Sequence, residues 1–259
     1  MKKFQIIFPI FAFLFVMAAC TKNGFHSSTY NEVSDQAQLK VNFFSPYRGL
    51  PPYQIKINDV RVSNTITNTV TSAGTPFPGG GLNTGGGSTA DYLTLKPGSN
   101  KVTISIPKAG SDADSVTLAT TTVDLSAGTQ YSLYFTDTAA NTTTLLVQDT
   151  LSKPDSSFAK YKFINLIPDL PSADLYIGTT KVASAVPYKG ISPTFTVNTN
   201  SSSTTWGIRA AGGTTNLQTY ASASSISNQR VYTVVARGYN AITATSDPRR
   251  RLISLIFNQ

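Results

Sequence analysis

Apolar and polar positions alternate with period two along most of this chain. Tyr53–Ile57 (YQIKI), Lys101–Ile106 (KVTISI), Tyr131–Phe135 (YSLYF) and Tyr232–Val235 (YTVV) each direct apolar side chains to one face and polar ones to the other, the pattern of half-buried β-strands. Turn signals separate such segments at Lys96–Gly98, Lys108–Gly110, Ser126–Gly128 and Ala211–Gly213, where Gly and Pro set the backbone for reversal. No convincing amphipathic helix interrupts the series. Short strands at regular spacing with Gly and Pro turns predict an all-β chain built of sandwiches or barrels. The C-terminal run Leu252–Phe257 (LISLIF) is too apolar for a free tail and predicts a last strand in a core.

The pattern occurs twice. Lys40–Pro46 (KVNFFSP) corresponds to Lys162–Pro168 (KFINLIP) at an offset of 122, and Ile57–Val62 to Ile177–Val182 at 120. Leu93–Leu95 corresponds to Phe195–Val197 at 102, and Leu125 and Tyr131 to Ile226 and Tyr232 at 101. Order is kept and the offset changes mainly once, which is the mark of a duplicated unit with one insertion. The insertion is Thr75–Thr89 (TPFPGGGLNTGGGST), whose composition predicts a flexible surface loop of the first copy. The expected organisation is a signal peptide at 1–19, a lipid anchor and polar tether at 20–37, a first β-sandwich at 38–151, a polar linker at Ser152–Ser157, and a second sandwich at 158–259. Both sandwiches are expected to be immunoglobulin-like or prealbumin-like.

Each repeat opens with a strand ending in Pro. In the second copy this leads to a strand–turn–strand, Ala173–Val182 (ADLYIGTTKV), then Val186–Gly190 (VPYKG) and a further strand. This order resembles the bacterial family catalogued as domain of unknown function 4397, across Tyr161–Ala236. The first copy lacks the Val-Pro-Tyr step and carries the Gly-rich insertion. The resemblance implies extracytoplasmic β-sandwiches, often in tandem on lipoproteins, and brings no catalytic residues with it.

The N-terminus reads as an address. Lys2 and Lys3 precede an apolar run from Phe4 to Val16, then Met17-Ala18-Ala19-Cys20. This is the layout of a secretory signal peptide, and it resembles a bacterial lipobox with Met in place of the usual Leu. Cys20 is the candidate lipidation site and the chain's one cysteine, so no internal disulfide is expected. Several acyl chains on Cys20 would anchor far more firmly than the marginal hold of one. Thr21, rather than Asp, follows the cysteine, so the expected address is the outer membrane. Its periplasmic and cell-surface faces both stay open.

Charge adds little. The chain holds 21 Lys and Arg against 13 Asp and Glu, and removal of Lys2 and Lys3 leaves a net charge of +6. The basic residues form few runs, Arg249–Arg251 being the exception, and no clustered face suited to nucleic acid is evident. The inventory for catalysis is thin. His26 and Glu32, the chain's single His and Glu, both lie in the tether, whereas nucleophilic catalysis needs an imidazole or equivalent base held by packed partners. Asp112 with Asp114, and Asp169 with Asp174, are candidate calcium pairs set at expected turns, although calcium requires six or more oxygens. No metal, cofactor or enzymatic activity is expected. Aromatic rings are the candidates for ligand binding: Trp206, Tyr188 and Tyr239 could stack on a sugar face, and the competing reading makes such rings core plugs. The expectation is a non-enzymatic envelope protein for adhesion, assembly or protein interaction. The alternative is a carbohydrate-binding accessory lipoprotein of a polysaccharide-uptake system. Expected partners are the membrane, through Cys20, and envelope proteins or polysaccharide.

Overall fold

The computed structural model describes residues 35–48, 53–63, 80–84, 92–108, 110–149 and 152–259. The signal peptide, Cys20 and the tether lie outside the described residues. The first copy contributes β1 (Ala37–Phe43), β2 (Gln54–Ile57), β3 (Val60–Arg61), β4 (Gly81–Leu82), β5 (Leu93–Leu95), β6 (Gly98–Pro107), β7 (Asp114–Leu125), β8 (Gln130–Thr136) and β9 (Thr143–Gln148). The second contributes β10 (Phe158–Leu166), β11 (Ser172–Ile177), β12 (Thr180–Pro187), β13 (Phe195–Asn198), β14 (Thr205–Ala210), β15 (Gln218–Ala221), β16 (Val231–Arg237) and β17 (Leu252–Phe257). The protein is all-β, and the expected last strand is β17.

The two copies pair their strands in the same way. One sandwich stacks the sheet β5-β1-β8-β9 on β3-β2-β6-β7, and the other stacks β13-β10-β16-β17 on β12-β11-β14-β15. In each, the first strand runs parallel to a late strand, β1 to β8 and β10 to β16, with Leu39 opposite Tyr131 and Tyr161 opposite Tyr232. Turn bonds repeat as well. Gly128 N–H donates to Gln36 O, and its counterpart Gln229 N–H donates to Phe158 O. Gly128 and Gln229 both have positive φ, 68° and 57°, the conformation that the Ser126–Gly128 turn signal anticipates. Period-two alternation buries Leu39, Ile55, Val102, Ile104, Leu133 and Phe135 in one core. Tyr161, Phe163, Leu175, Trp206, Val234 and Leu255 are buried in the other.

Strands β1, β8, β10, β16 and β17 are buried on both faces. Their outer faces meet in a third apolar cluster of Phe44, Tyr134, Val147, Ile164, Leu166, Val235 and Ile256, and residues 33–259 form one compact unit. The contact has an approximate two-fold relation. Lys40 Nζ donates to Phe257 O across it, and its counterpart Lys162 Nζ donates back to Gln148 O at 3.2 Å, where Gln148 and Phe257 occupy equivalent positions opposite Tyr131 and Tyr232.

The Gly-rich insertion departs from its expectation. Gly81–Leu82 is a strand rather than part of a flexible loop, and it belongs to the second copy's sheet: β4 pairs antiparallel with β17, Leu82 opposite Leu255. The physical reason lies in its glycine. At Gly81 φ is +136°, and a Cβ there would stand 1.9 Å from Leu255 O, so only glycine lets the backbone come this close. Asn83 then fixes the strand, its Nδ2 donating to Ile253 O at 2.7 Å while its own carbonyl accepts from Ser254 and Arg237.

Candidate binding site

Where β4 crosses the end of the second sandwich it walls a cleft of about 350 Å3 lined by Gly81, Leu82, Ser224, Ser227, Arg230, Tyr232 and Phe257. Such a volume lies at the small end of the range for small-molecule sites. Tyr232 and Phe257 come from adjacent strands, stand opposite each other in register, and meet at 5.4 Å between ring centroids. A short 3-10 turn, Ala223–Ser225, supplies the hydroxyl side of the cleft. That turn is held from beneath, since Tyr161 Oη donates to Ser225 O at 2.6 Å and Trp206 Nε1 to Ser225 Oγ at 2.8 Å. Arg230 lies over the Phe257 ring at 4.6 Å, in the geometry of a cation–π contact. None of the five ion pairs among the described residues includes it. The lining therefore combines an apolar floor, a guanidinium and serine hydroxyls. That set can bind an amphipathic or anionic group, and among the described residues it includes no carboxylate, imidazole or thiol.

The three candidate ring platforms separate in the fold. Trp206 is fully buried, packed at 4.9 Å from Tyr161 with its indole N–H satisfied by Ser225. It is a core residue below the cleft and presents no face to a sugar, because its register position opposite Ile177 points inward. Tyr188 and Tyr239 come together instead, around Asp137 at the junction between the copies. Tyr239 Oη donates to Asp137 Oδ1, and Thr138 Oγ1 lies 2.9 Å from the same hydroxyl. Burial, followed by the Asp137 hydrogen bond, pushes the Tyr239 phenol up to about 12. Burial also raises Tyr188, with Thr136 offsetting part of the rise and the Asp137 charge adding to it. The Tyr239 hydroxyl thus serves the junction.

The candidate calcium pairs do not converge. Asp114 Oδ1 accepts from Lys56, Ser105 and Gln54, and Asp112 meets the same Gln54 only through its backbone carbonyl. Asp174 is buried and accepts from Lys181, Ala185 N–H and Gly212 N–H. Burial works against its charge, but these three donors outweigh it and hold the carboxyl below its ordinary range. Asp169 accepts from Asn240 and Ala241 N–H in a different loop. Among the described residues, no three of His, Cys, Asp and Glu gather as metal ligands would.

The sequence reading missed a buried polar network between the copies. Asp149 accepts from Lys162 at 2.7 Å, Ser132 at 2.5 Å, Tyr92 at 3.0 Å and Asn258 at 3.1 Å. Asn258 also donates to Thr233 Oγ1 at 3.0 Å. Charges this deep require partners. The available signal was a lysine at the same place inside an apolar strand of both repeats, Lys40 and Lys162.

No curated protein matches the sequence. The family described as "Domain of unknown function (DUF4397)" matches twice, at residues 51–172 and 159–252. With both matches covering most of the chain and the same sandwich appearing in each copy, this protein belongs to that family as a tandem member.

Proposed function

We propose that this chain is a lipid-anchored outer-membrane protein, held at Cys20, whose double sandwich works as a non-enzymatic adhesion, assembly or protein-interaction module. The observation that supports this reading most is how the polar side chains are spent. Asp137, Asp149, Asp169 and Asp174 all accept hydrogen bonds that fix loops or join the copies, so these acids serve architecture. The result is a stiff body whose exposed strands and loops are its means of contact.

The test places photo-crosslinking residues along β7 and β9 of the membrane-bound protein in its native cell. Discrete protein adducts at some positions and not others support the reading. Uniform absence of adducts, together with binding of a purified Cys20→Ser chain to defined glycans, overturns it in favour of the carbohydrate-binding alternative. The cleft of Arg230, Tyr232 and Phe257 is what favours that second reading, in place of Trp206.

A further inference from the structure

The approximate two-fold relation makes β9 and β17 equivalent edges, yet among the described residues a further strand covers only β17. On β17, β4 adds a strand and closes the ladder. On β9, no strand pairs on the side away from β8 among the described residues.

The other terminal strands are blunted. β3 has two residues, β5 three, β13 and β15 four each, and β4 two. β7 breaks register twice against β6, and β12 breaks register against β11 and ends in Pro187. Short length, bulges and proline are the devices by which proteins keep sheet edges from pairing. β9 has none of them: its six residues, TTLLVQ, run in unbroken register from Gln148 to Thr143 opposite Tyr131 to Thr136. Asp149 N–H donates to Gln130 O on β8. The antiparallel ladder alternates, so Thr144, Leu146 and Gln148 direct their N–H groups away from β8, toward the open side.

We infer that β9 is a self-pairing edge, and that its occupant is β9 of a second copy of this chain, joined antiparallel about a two-fold axis through Leu145 or Leu146. β17 with β4 shows that this strand position accepts one more antiparallel strand. The residues of β9 carry no charge, so the strand opposes itself without like charges across the pair. β7 lacks that property, with Asp114 and Asp124 near its two ends. An isologous contact of this kind closes on itself and gives a dimer rather than a fibre. The broader interaction-module reading does not depend on this pairing.

The test uses the mature chain with Cys20→Ser, which leaves no cysteine. Sedimentation is expected to show a dimer at high micromolar concentration. Thr144→Pro, which removes an outward N–H without touching the bonds to β8, is expected to give a monomer with unchanged circular dichroism. As a second measurement, Leu145→Cys and Leu146→Cys are introduced singly and oxidised. One of them should trap a disulfide-linked dimer, whereas Val116→Cys on the exposed edge β7 should not. A monomeric parent with no trapping at either leucine overturns the inference. So does a dimer that survives Thr144→Pro, or trapping at Val116→Cys in place of the leucines. If the chain is monomeric but heterologous adducts form in cells, the pairing fails and the interaction module stands.

Discussion

At the register position where the second strand of each copy meets the strand on the side away from its hairpin, β6 or β14, the first copy sets Ile57 against Val102 and the second sets Ile177 against Trp206. Likewise Leu39 in one core becomes Tyr161 in the other. The first core is largely aliphatic, while Tyr161 in the second stacks on Phe195 and Tyr232 and packs at a tilt against Trp206. The strand order and parallel pairing are nevertheless shared. What specifies this fold is therefore the alternation and the turn backbone, while side-chain volume can be redistributed within a core. The aromatic core carries an added requirement, since Trp206 and Tyr161 each need a buried acceptor. The 3-10 turn at Ser225 provides both, and the same turn walls the cleft.

The most severe way to break this comparison is to end the chain at Arg251. That removes β17, hence the partner of β16 and the support of β4, and also Phe257 O and Asn258 at the junction. The second sandwich should fail to fold, and the first should lose the cover on its outer face. Soluble yield and circular dichroism of the truncated chain check this. A natively folded truncation would mean that the two sandwiches are far less interdependent than their contacts imply.

Two substitutions then sharpen the contrast. Trp206→Ala should cost about 3–5 kcal/mol, the usual range for removing a buried large aromatic. Val102→Ala, at the equivalent position, should cost at most about 1.5–3 kcal/mol. Urea denaturation of the two variants side by side tests whether the aromatic core is the more demanding one. Across the junction, Lys162→Met leaves Asp149 without its cation and should cost about 3–5 kcal/mol, as for other buried pairs broken on one side. Asp149→Asn in the same background should restore part of that loss, because the uncompensated charge is then removed.

The same contrast explains what could be read from sequence. Fold class, the repeat and β17 were legible because each rests on a local signal: alternation, turn residues and a run of apolar positions. The repeat offsets placed Tyr131 with Tyr232 and Leu93 with Phe195, and the paired registers agree. β4 was not legible, because Gly80–Thr84 has loop composition and its reason for being a strand is Leu255, more than a hundred residues away. Trp206, Tyr188 and Tyr239 were visible as rings, but ring type says nothing about the direction in which a strand presents it. Lys40 and Lys162 look solvated in a single strand, and only their reciprocal contacts across the junction show why both are buried.

The smallest expected effect concerns Tyr239, whose hydroxyl bonds between the copies. Its hydroxyl donates to Asp137 and lies beside Thr138, both on the first copy. Tyr239→Phe keeps the ring and removes the bond, leaving a partly buried acceptor, so about 1 kcal/mol should be lost at neutral pH. The bond also predicts an alkaline dependence. The phenol is raised from 10.0 to about 12 in the folded protein, so the fold favours its neutral form. That stability is fully present below about pH 10, where folded and unfolded phenols are both protonated, and it is lost as pH rises through about 12. Tyr92 and Tyr134, at the Asp149 side of the junction, are pushed up further still by burial and by the Asp149 charge, so they ionise later. Spectrophotometric titration of phenolate, with stability measured in parallel, should therefore show the parent losing stability between about pH 10 and 12. Tyr239→Phe should lose less over the same interval. Identical slopes for the two proteins would show that the hydroxyl does not link the copies in solution.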